Sequence, residues 1–130
     1  MLEIKVSLRI YTHGLGLDGV AAKFDCKEDF GYSEGNSIGC GEKKYYSETM
    51  WGKNSSCDVS DSIDMHIIEL LDWLEQRKSE YHDLASKVIV KSDICCYLYT
   101  DNGQGGAAIS SDVIKRLAIF DLDVVIDVYA

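Results

Sequence analysis

The strongest hydrophobic pattern in the chain runs over residues 61–78, DSIDMHIIELLDWLEQRK. Ile63, Ile67, Leu70, Leu71 and Leu74 recur at the spacing of one helix face, and Asp64, Glu69, Asp72, Glu75 and Arg77 occupy the others. This spacing predicts the longest helix of the protein, with its apolar stripe buried against a β-sheet. Asp61 or Ser62 is placed to accept the first free amides, and Tyr81, Leu84 and Ala85 keep a helical spacing as far as Lys87. Two other segments alternate strictly. Ile4, Val6, Leu8 and Ile10 oppose Glu3, Lys5, Ser7, Arg9 and Tyr11, while Leu122, Val124, Ile126 and Val128 oppose Asp123, Val125, Asp127 and Tyr129. Both read as half-buried strands. If they lie side by side, Asp123 and Asp127 meet Lys5 and Arg9 across the ladder.

The intervening segments complete the pattern. Leu17, Val20, Ala21 and Phe24 make one short helix face, with Asp18 near its start. Residues 29–41 form a loop bearing glycine and serine, residues 37–40 a candidate short strand, and residues 43–51, KKYYSETMW, a candidate strand rich in aromatics. Residues 93–100, DICCYLYT, read as a strand, residues 101–106 as a hairpin loop marked by Asn102-Gly103, and residues 107–110 as the returning strand. Ser110 or Ser111 then caps a helix with Val113, Ile114, Leu117 and Ala118 on its apolar face. The expected architecture is α+β: a largely antiparallel sheet of five or six strands, with one long helix and one or two shorter helices packed on one face. The other face, carrying Glu3, Lys5, Arg9, Asp123, Asp127 and several tyrosines, is left to meet a partner.

Composition narrows the class. At 130 residues the expectation is one domain over residues 1–130, large enough for a core without disulfides or metal. No charge-free apolar run reaches the roughly 20 residues a membrane span requires, and residues 1–11 alternate charge with hydrophobe unlike a signal-peptide core. A cytoplasmic protein is expected. The net charge of -9, from 22 acidic and 13 basic residues, repels nucleic acid and anionic membranes and favours a basic partner. Solubility alone is the plainer account of that charge.

Groupings that carry chemistry are sparse. The five cysteines, Cys26, Cys40, Cys57, Cys95 and Cys96, form no regular framework, and adjacent Cys95 and Cys96 in a strand point to opposite faces. Reduced thiols and no metal or cofactor are expected. His13, His66 and His82 stand in no ligand or base spacing, and His66 lies beside the long helix's apolar stripe, which favours a structural or surface role. Ser55-Ser56-Cys57 lacks the glycines of a nucleophile elbow. Asp58, Asp61 and Asp64 lack the glycine and terminal glutamate of an EF-hand loop and read as helix-start acids. Gly14-x-Gly16-x-x-Gly19 matches the dinucleotide fingerprint, but no apolar second strand follows at the required place, so a plain tight turn is the simpler reading. The absence of acid, base and nucleophile groupings points away from an enzyme.

The layout nevertheless resembles a family of small bacterial domains of unknown function. The matching features are Leu17-Asp18, Gly35, Trp51 before the 61–74 helix, the 94–98 strand, the 110–118 helix and the closing strand with Asp127-Val128-Tyr129. Where that family tends to carry a Leu-Gly-x-x-Pro-like segment after the first helix, this chain has Ala22-Lys23-Phe24-Asp25-Cys26. Proteins similar to the family include immunity proteins of toxin systems, such as contact-dependent inhibition and polymorphic toxins. The resemblance therefore implies a non-enzymatic immunity protein that binds and neutralises a cognate toxin domain; the net charge argues against direct contact with nucleic acid or membrane. A basic nuclease suits an acidic inhibitor, because a protein that holds phosphates must itself be cationic. The candidate partner-binding residues are Asp64, Asp72, Glu75, Asp123, Asp127 and Tyr129. The alternative is a small-molecule or nucleotide-binding domain using the Gly14–Gly19 turn.

Overall fold

A computed structural model describes residues 2–39 and 43–130; Cys40 and Gly41, which the sequence assigns to a strand end and a loop end, lie outside the described residues. In chain order the elements are β1 (Leu2–Thr12), α1 (Leu17–Phe24), β2 (Phe30–Tyr32), β3 (Thr49–Asn54), α2 (Ile63–Gln76), α3 (Lys78–Lys87), β4 (Ile89–Thr100), α4 (Ser111–Ile119) and β5 (Asp123–Tyr129). The fold is α+β, and the strands hydrogen-bond in the order β2-β3-β1-β4-β5. The sheet is mixed: β2 and β3 run antiparallel, with Phe30 opposite Gly52, whereas β4 and β5 run parallel, with Asp93 opposite Asp123 and Tyr99 opposite Tyr129.

Where a largely antiparallel sheet is expected from sequence, the sheet among the described residues has five strands and a parallel β4–β5 pair, and the hairpin expected after β4 is replaced by a crossover. Residues 107–110 form no strand. The loop instead closes on itself, with the Thr100 hydroxyl donating to the Gln104 carbonyl at 2.7 Å and the Gln104 amide donating to the Asn102 side chain at 3.0 Å. The chain then enters α4, the crossover that two neighbouring parallel strands require. Consequently β5 borders β4 and not β1, so Asp123 and Asp127 lie opposite Asp93 and Tyr97 instead of Lys5 and Arg9.

The single long helix is also corrected. The helix stops at Gln76, Arg77 adopts φ -118° and ψ 27°, and a separate α3 begins at Lys78. The continuous apolar stripe ends at Leu74; beyond it only Tyr81 and Leu84 are buried in α3. Among the described residues four helices thus replace the two or three expected, and the strand expected over residues 43–51 starts only at Thr49. Of the strand expected over residues 37–40, the described residues show an isolated bridge from Ser37 to Tyr45.

The chain divides into two compact units interleaved in sequence. The first comprises Met1–Leu8, Asn54–Gln76 and Asp93–Ala130. Its core joins Ile4, Val6 and Leu8 of β1, the α2 stripe of Ile63, Ile67, Leu70, Leu71 and Leu74, Ile94, Cys95 and Cys96 of β4, and Val113 and Leu117 of α4. Each of its helices opens on a serine cap: the Ser62 hydroxyl accepts from the Met65 amide at 3.3 Å, and Ser110 from the Val113 amide at 3.4 Å. Such a cap satisfies one of the amides that a helix start leaves without a partner.

The second unit comprises Arg9–Lys53 and Arg77–Ser92. Phe24 of α1 packs on Trp51 of β3 with ring centroids 5.4 Å apart. The Lys23 ammonium of α1 pairs with Asp83 of α3, and Lys87 pairs with the same carboxylate at 2.9 Å. Hydrogen bonds from these two lysines hold the Asp83 carboxyl below its ordinary pKa. The Arg77 side chain donates to the Phe24 carbonyl at 3.3 Å, tying the residue at which α2 gives way to α3 to the end of α1. At Gly31, φ is 144° and an added Cβ would sit 2.0 Å from the Met50 carbonyl oxygen, so β2 approaches β3 there only because the side chain is absent.

Truncating the α2 stripe tests this account of the core. Leu70 is fully buried, so Leu70→Ala should cost about 2–5 kcal/mol of unfolding free energy. Met65, 52% exposed on the same helix, should change it by no more than about 0.5 kcal/mol when replaced by alanine. Urea unfolding of the two variants measures both values.

Candidate functional site

The sequence-predicted partner residues separate into two groups. On α2, Asp64 turns inward to the chain: its two carboxylate oxygens accept from the Ser110 amide at 3.1 and 3.3 Å, fixing the entry to α4. Asp72 pairs with the Arg116 guanidinium of α4 at 2.9 Å. These two acids clamp α4 onto α2, and Glu75 stands exposed one turn further on. Asp123, Asp127 and Tyr129 are brought together on one face of β5, since alternate residues of a strand share a face. Tyr129 stacks on Tyr99 of β4 with centroids 5.1 Å apart, and the half-buried Asp127 accepts a long contact of 3.9 Å from the Cys95 thiol.

The opposite face of β5 departs from expectation. Leu122 is buried, but Val124, Ile126 and Val128 are 39%, 51% and 63% exposed. The strand reads in sequence as half buried, and the alternation is real; the burial is not, because β5 ends the strand order. Ile114 and Ile119 of α4 are exposed as well, at 53% and 60%. A run of apolar side chains on a terminal strand is the kind of surface natural sheets normally blunt or cover.

The same unit contains a cavity of about 360 Å³. Its walls include Lys5 and Ser7 of β1, Asn54 and Ser55 at the end of β3, His66 of α2, and Tyr97 and Tyr99 of β4. His66 is buried, its Nδ1 lies 2.6 Å from the Ser55 hydroxyl, and its Nε2 has no partner. The Ser7 hydroxyl donates to the Asn54 side-chain oxygen at 2.7 Å, and the Lys5 ammonium lies 5.7 Å from the Tyr99 ring centroid. Sequence reading places His66 beside the apolar stripe but misses its pairing with Ser55. Its spacing from Ile63 and Leu70 was the available signal for burial.

Other sequence candidates resolve into local structure. Asp58 accepts from both the Ser60 amide and hydroxyl, which lower its pKa, and Asp61 accepts from the Asp58 amide at 2.9 Å. At the glycine turn the Gly14 amide donates to the Glu34 carboxylate and the Leu17 amide to the Ser33 hydroxyl at 2.9 Å. A phosphate there would have to displace one carboxylate and meet its charge. The strand after α1 is moreover separated from β1 by β3, unlike the adjacent parallel strand of a dinucleotide site.

The cysteines offer a direct check on the electrostatics. Burial and then the neighbouring Cys95 push the Cys96 thiol up to about 12, and burial together with the Glu69 carboxylate raises Cys57. Only the thiolate reacts with iodoacetamide. Removing the negative charge in Glu69→Gln lowers the Cys57 pKa, so its alkylation at pH 8 should accelerate severalfold while Cys96 stays protected in the native protein. Peptide mass spectrometry of timed reactions measures both sites.

No curated protein and no solved structure matches this chain. Among the described residues, no helix is long and apolar enough to cross a membrane. One family model matches residues 2–130, and the chain therefore belongs to the family described as domain of unknown function DUF4279.

Proposed function

We propose that this protein is a non-enzymatic, cytoplasmic immunity protein that binds and neutralises a cognate toxin domain through the β5 edge. The observation that carries the reading is the exposure of Val124, Ile126 and Val128 on a strand at the end of the sheet order, with Asp123, Asp127 and Tyr129 on its other face. A terminal strand offers main-chain hydrogen bonds to an added strand, and alternate side chains supply specificity. Apolar side chains supply desolvation energy on association, while acids at the rim steer a basic partner and exclude an acidic one.

Charge points to the partner's chemistry. A net charge of -9 accelerates encounter with a cationic surface, and a nuclease must present such a surface to hold phosphates. An inhibitor of this kind needs no catalytic group of its own, because covering the toxin's substrate cleft is enough. Among the six sequence candidates, Asp123, Asp127 and Tyr129 are the residues assigned to the contact. Asp64 and Asp72 serve it indirectly by holding α4, the element that delivers the chain to β5.

Co-expression with the product encoded immediately upstream tests the reading: that product should arrest growth alone, be rescued by this protein and co-purify with it. In the purified complex Ile126→Glu should raise the dissociation rate at least about tenfold, as expected for charge placed in an apolar contact. Asp123→Lys with Asp127→Lys should chiefly slow association at low salt. Absence of toxicity and of a complex overturns the function, whereas a complex indifferent to all three changes overturns the surface.

A further inference from the structure

We propose that the cavity between β1, β4 and the start of α2 binds a small organic anion with a flat unsaturated body, of the aromatic carboxylate or aryl phosphate class. The site lies apart from the β5 apolar face and does not depend on the toxin-binding reading. Its volume of about 360 Å³ falls within the roughly 300–1,000 Å³ typical of small-molecule sites.

The lining chemistry selects the ligand's charge. The protein has 22 acidic residues, yet among the described residues no aspartate or glutamate lines this cavity, while Lys5 does. Among the described residues Lys5 joins no ion pair; its ammonium is left above the Tyr99 ring at 5.7 Å. Ser55 supplies a second donor, for a reason set by His66. The His66 Nε2 is buried without any partner, and a buried N–H without an acceptor is the costlier of the two unpaired forms. Of the two singly protonated tautomers, the one with its proton on Nδ1 orphans no N–H, because that proton is donated to the Ser55 oxygen 2.6 Å away. With its oxygen accepting from the imidazole, the Ser55 hydroxyl hydrogen is directed elsewhere, towards a ligand oxygen. This tautomer also leaves His66 unable to take the Ser55 proton, so the pair serves binding and does not activate a nucleophile.

The body of the ligand follows from the walls. Tyr97 and Tyr99 present two rings from one strand face, and Val59 adds apolar surface. Planar ligands match such a lining by stacking, and the ammonium beside Tyr99 pairs with the ligand's anionic group. Two oxygens of the ligand's anionic group have donors to meet, Lys5 and Ser55.

Titration of the 15N-labelled protein with benzoate, phenyl phosphate and the neutral isostere benzamide tests the assignment. Either anion should shift the amide signals of Ser55, Tyr97 and Tyr99, and the stronger of the two identifies carboxylate or phosphate as the preferred group. Benzamide should bind at least about tenfold more weakly, the loss expected for an unpaired ammonium. Lys5→Met should erase the preference for the anion, Lys5→Arg should retain it, and Ser55→Ala should weaken both anions severalfold. Imidazole 15N shifts should report the Nδ1-protonated tautomer of His66. Wild-type affinity for benzoate should fall with added salt, a measurement independent of whether any variant folds. Equal binding of benzoate and benzamide, salt-independent binding, or no shift at these three residues with either anion overturns the proposal.

Discussion

Parallel pairing of β4 with β5 is the constraint on which the rest of the first unit depends. Two neighbouring parallel strands cannot be joined by a tight turn, so the chain leaving Thr100 must return along the sheet before it can pair again. The 101–110 loop and α4 provide that return, and α2 holds α4 in place through Asp64 at its first amides and Asp72 at Arg116. Residues that look in sequence like free surface acids thereby become part of the scaffold. Their charge acts at short range on partners within the chain.

The same constraint creates the exposed edge. Because β5 arrives by a crossover to the far side of β4, nothing in the strand order lies beyond it, and Val124, Ile126 and Val128 remain uncovered. The chain contains no proline to blunt the strand, and the acids on β5 are Asp123 and Asp127. On the other face Tyr129 continues a ladder from Tyr99, whose ring also borders the Lys5 cavity. One strand pair therefore presents an apolar surface on one side, and on the other Asp123 and Asp127 beside a recess lined by Lys5, Tyr97 and Tyr99.

Local periodicity made much of the secondary structure legible. The α2 stripe, both alternating end segments, the short α1 face and caps at Asp61 or Ser62 and at Ser110 or Ser111 all follow from spacing and from the need to satisfy amides at helix starts. The errors share a cause. Whether a returning segment pairs as a hairpin or crosses over as a helix depends on long-range competition for the edge of β4, which the Asn102-Gly103 signal does not encode. Likewise the break at Arg77 is tied to the Phe24 carbonyl, 53 residues away in the chain. The candidate site was half legible: Asp123, Asp127 and Tyr129 were marked by alternation and charge. The Ser55 and His66 pair and the position of Lys5 over Tyr99 join residues that have no sequence relation.

The sequence by itself determined the types of β1, α1, α2, β4, α4 and β5, the buried stripe of α2 and the acidity, because these depend on neighbours within a few turns or on composition alone. Only the tertiary structure decided the parallel partner of β5, the exposure of its valines, the internal employment of Asp64 and Asp72 and the donor-lined cavity. Strand order and burial are set by which distant segments win each hydrogen-bonding edge and apolar face, a competition among the whole chain's surfaces that no local pattern records.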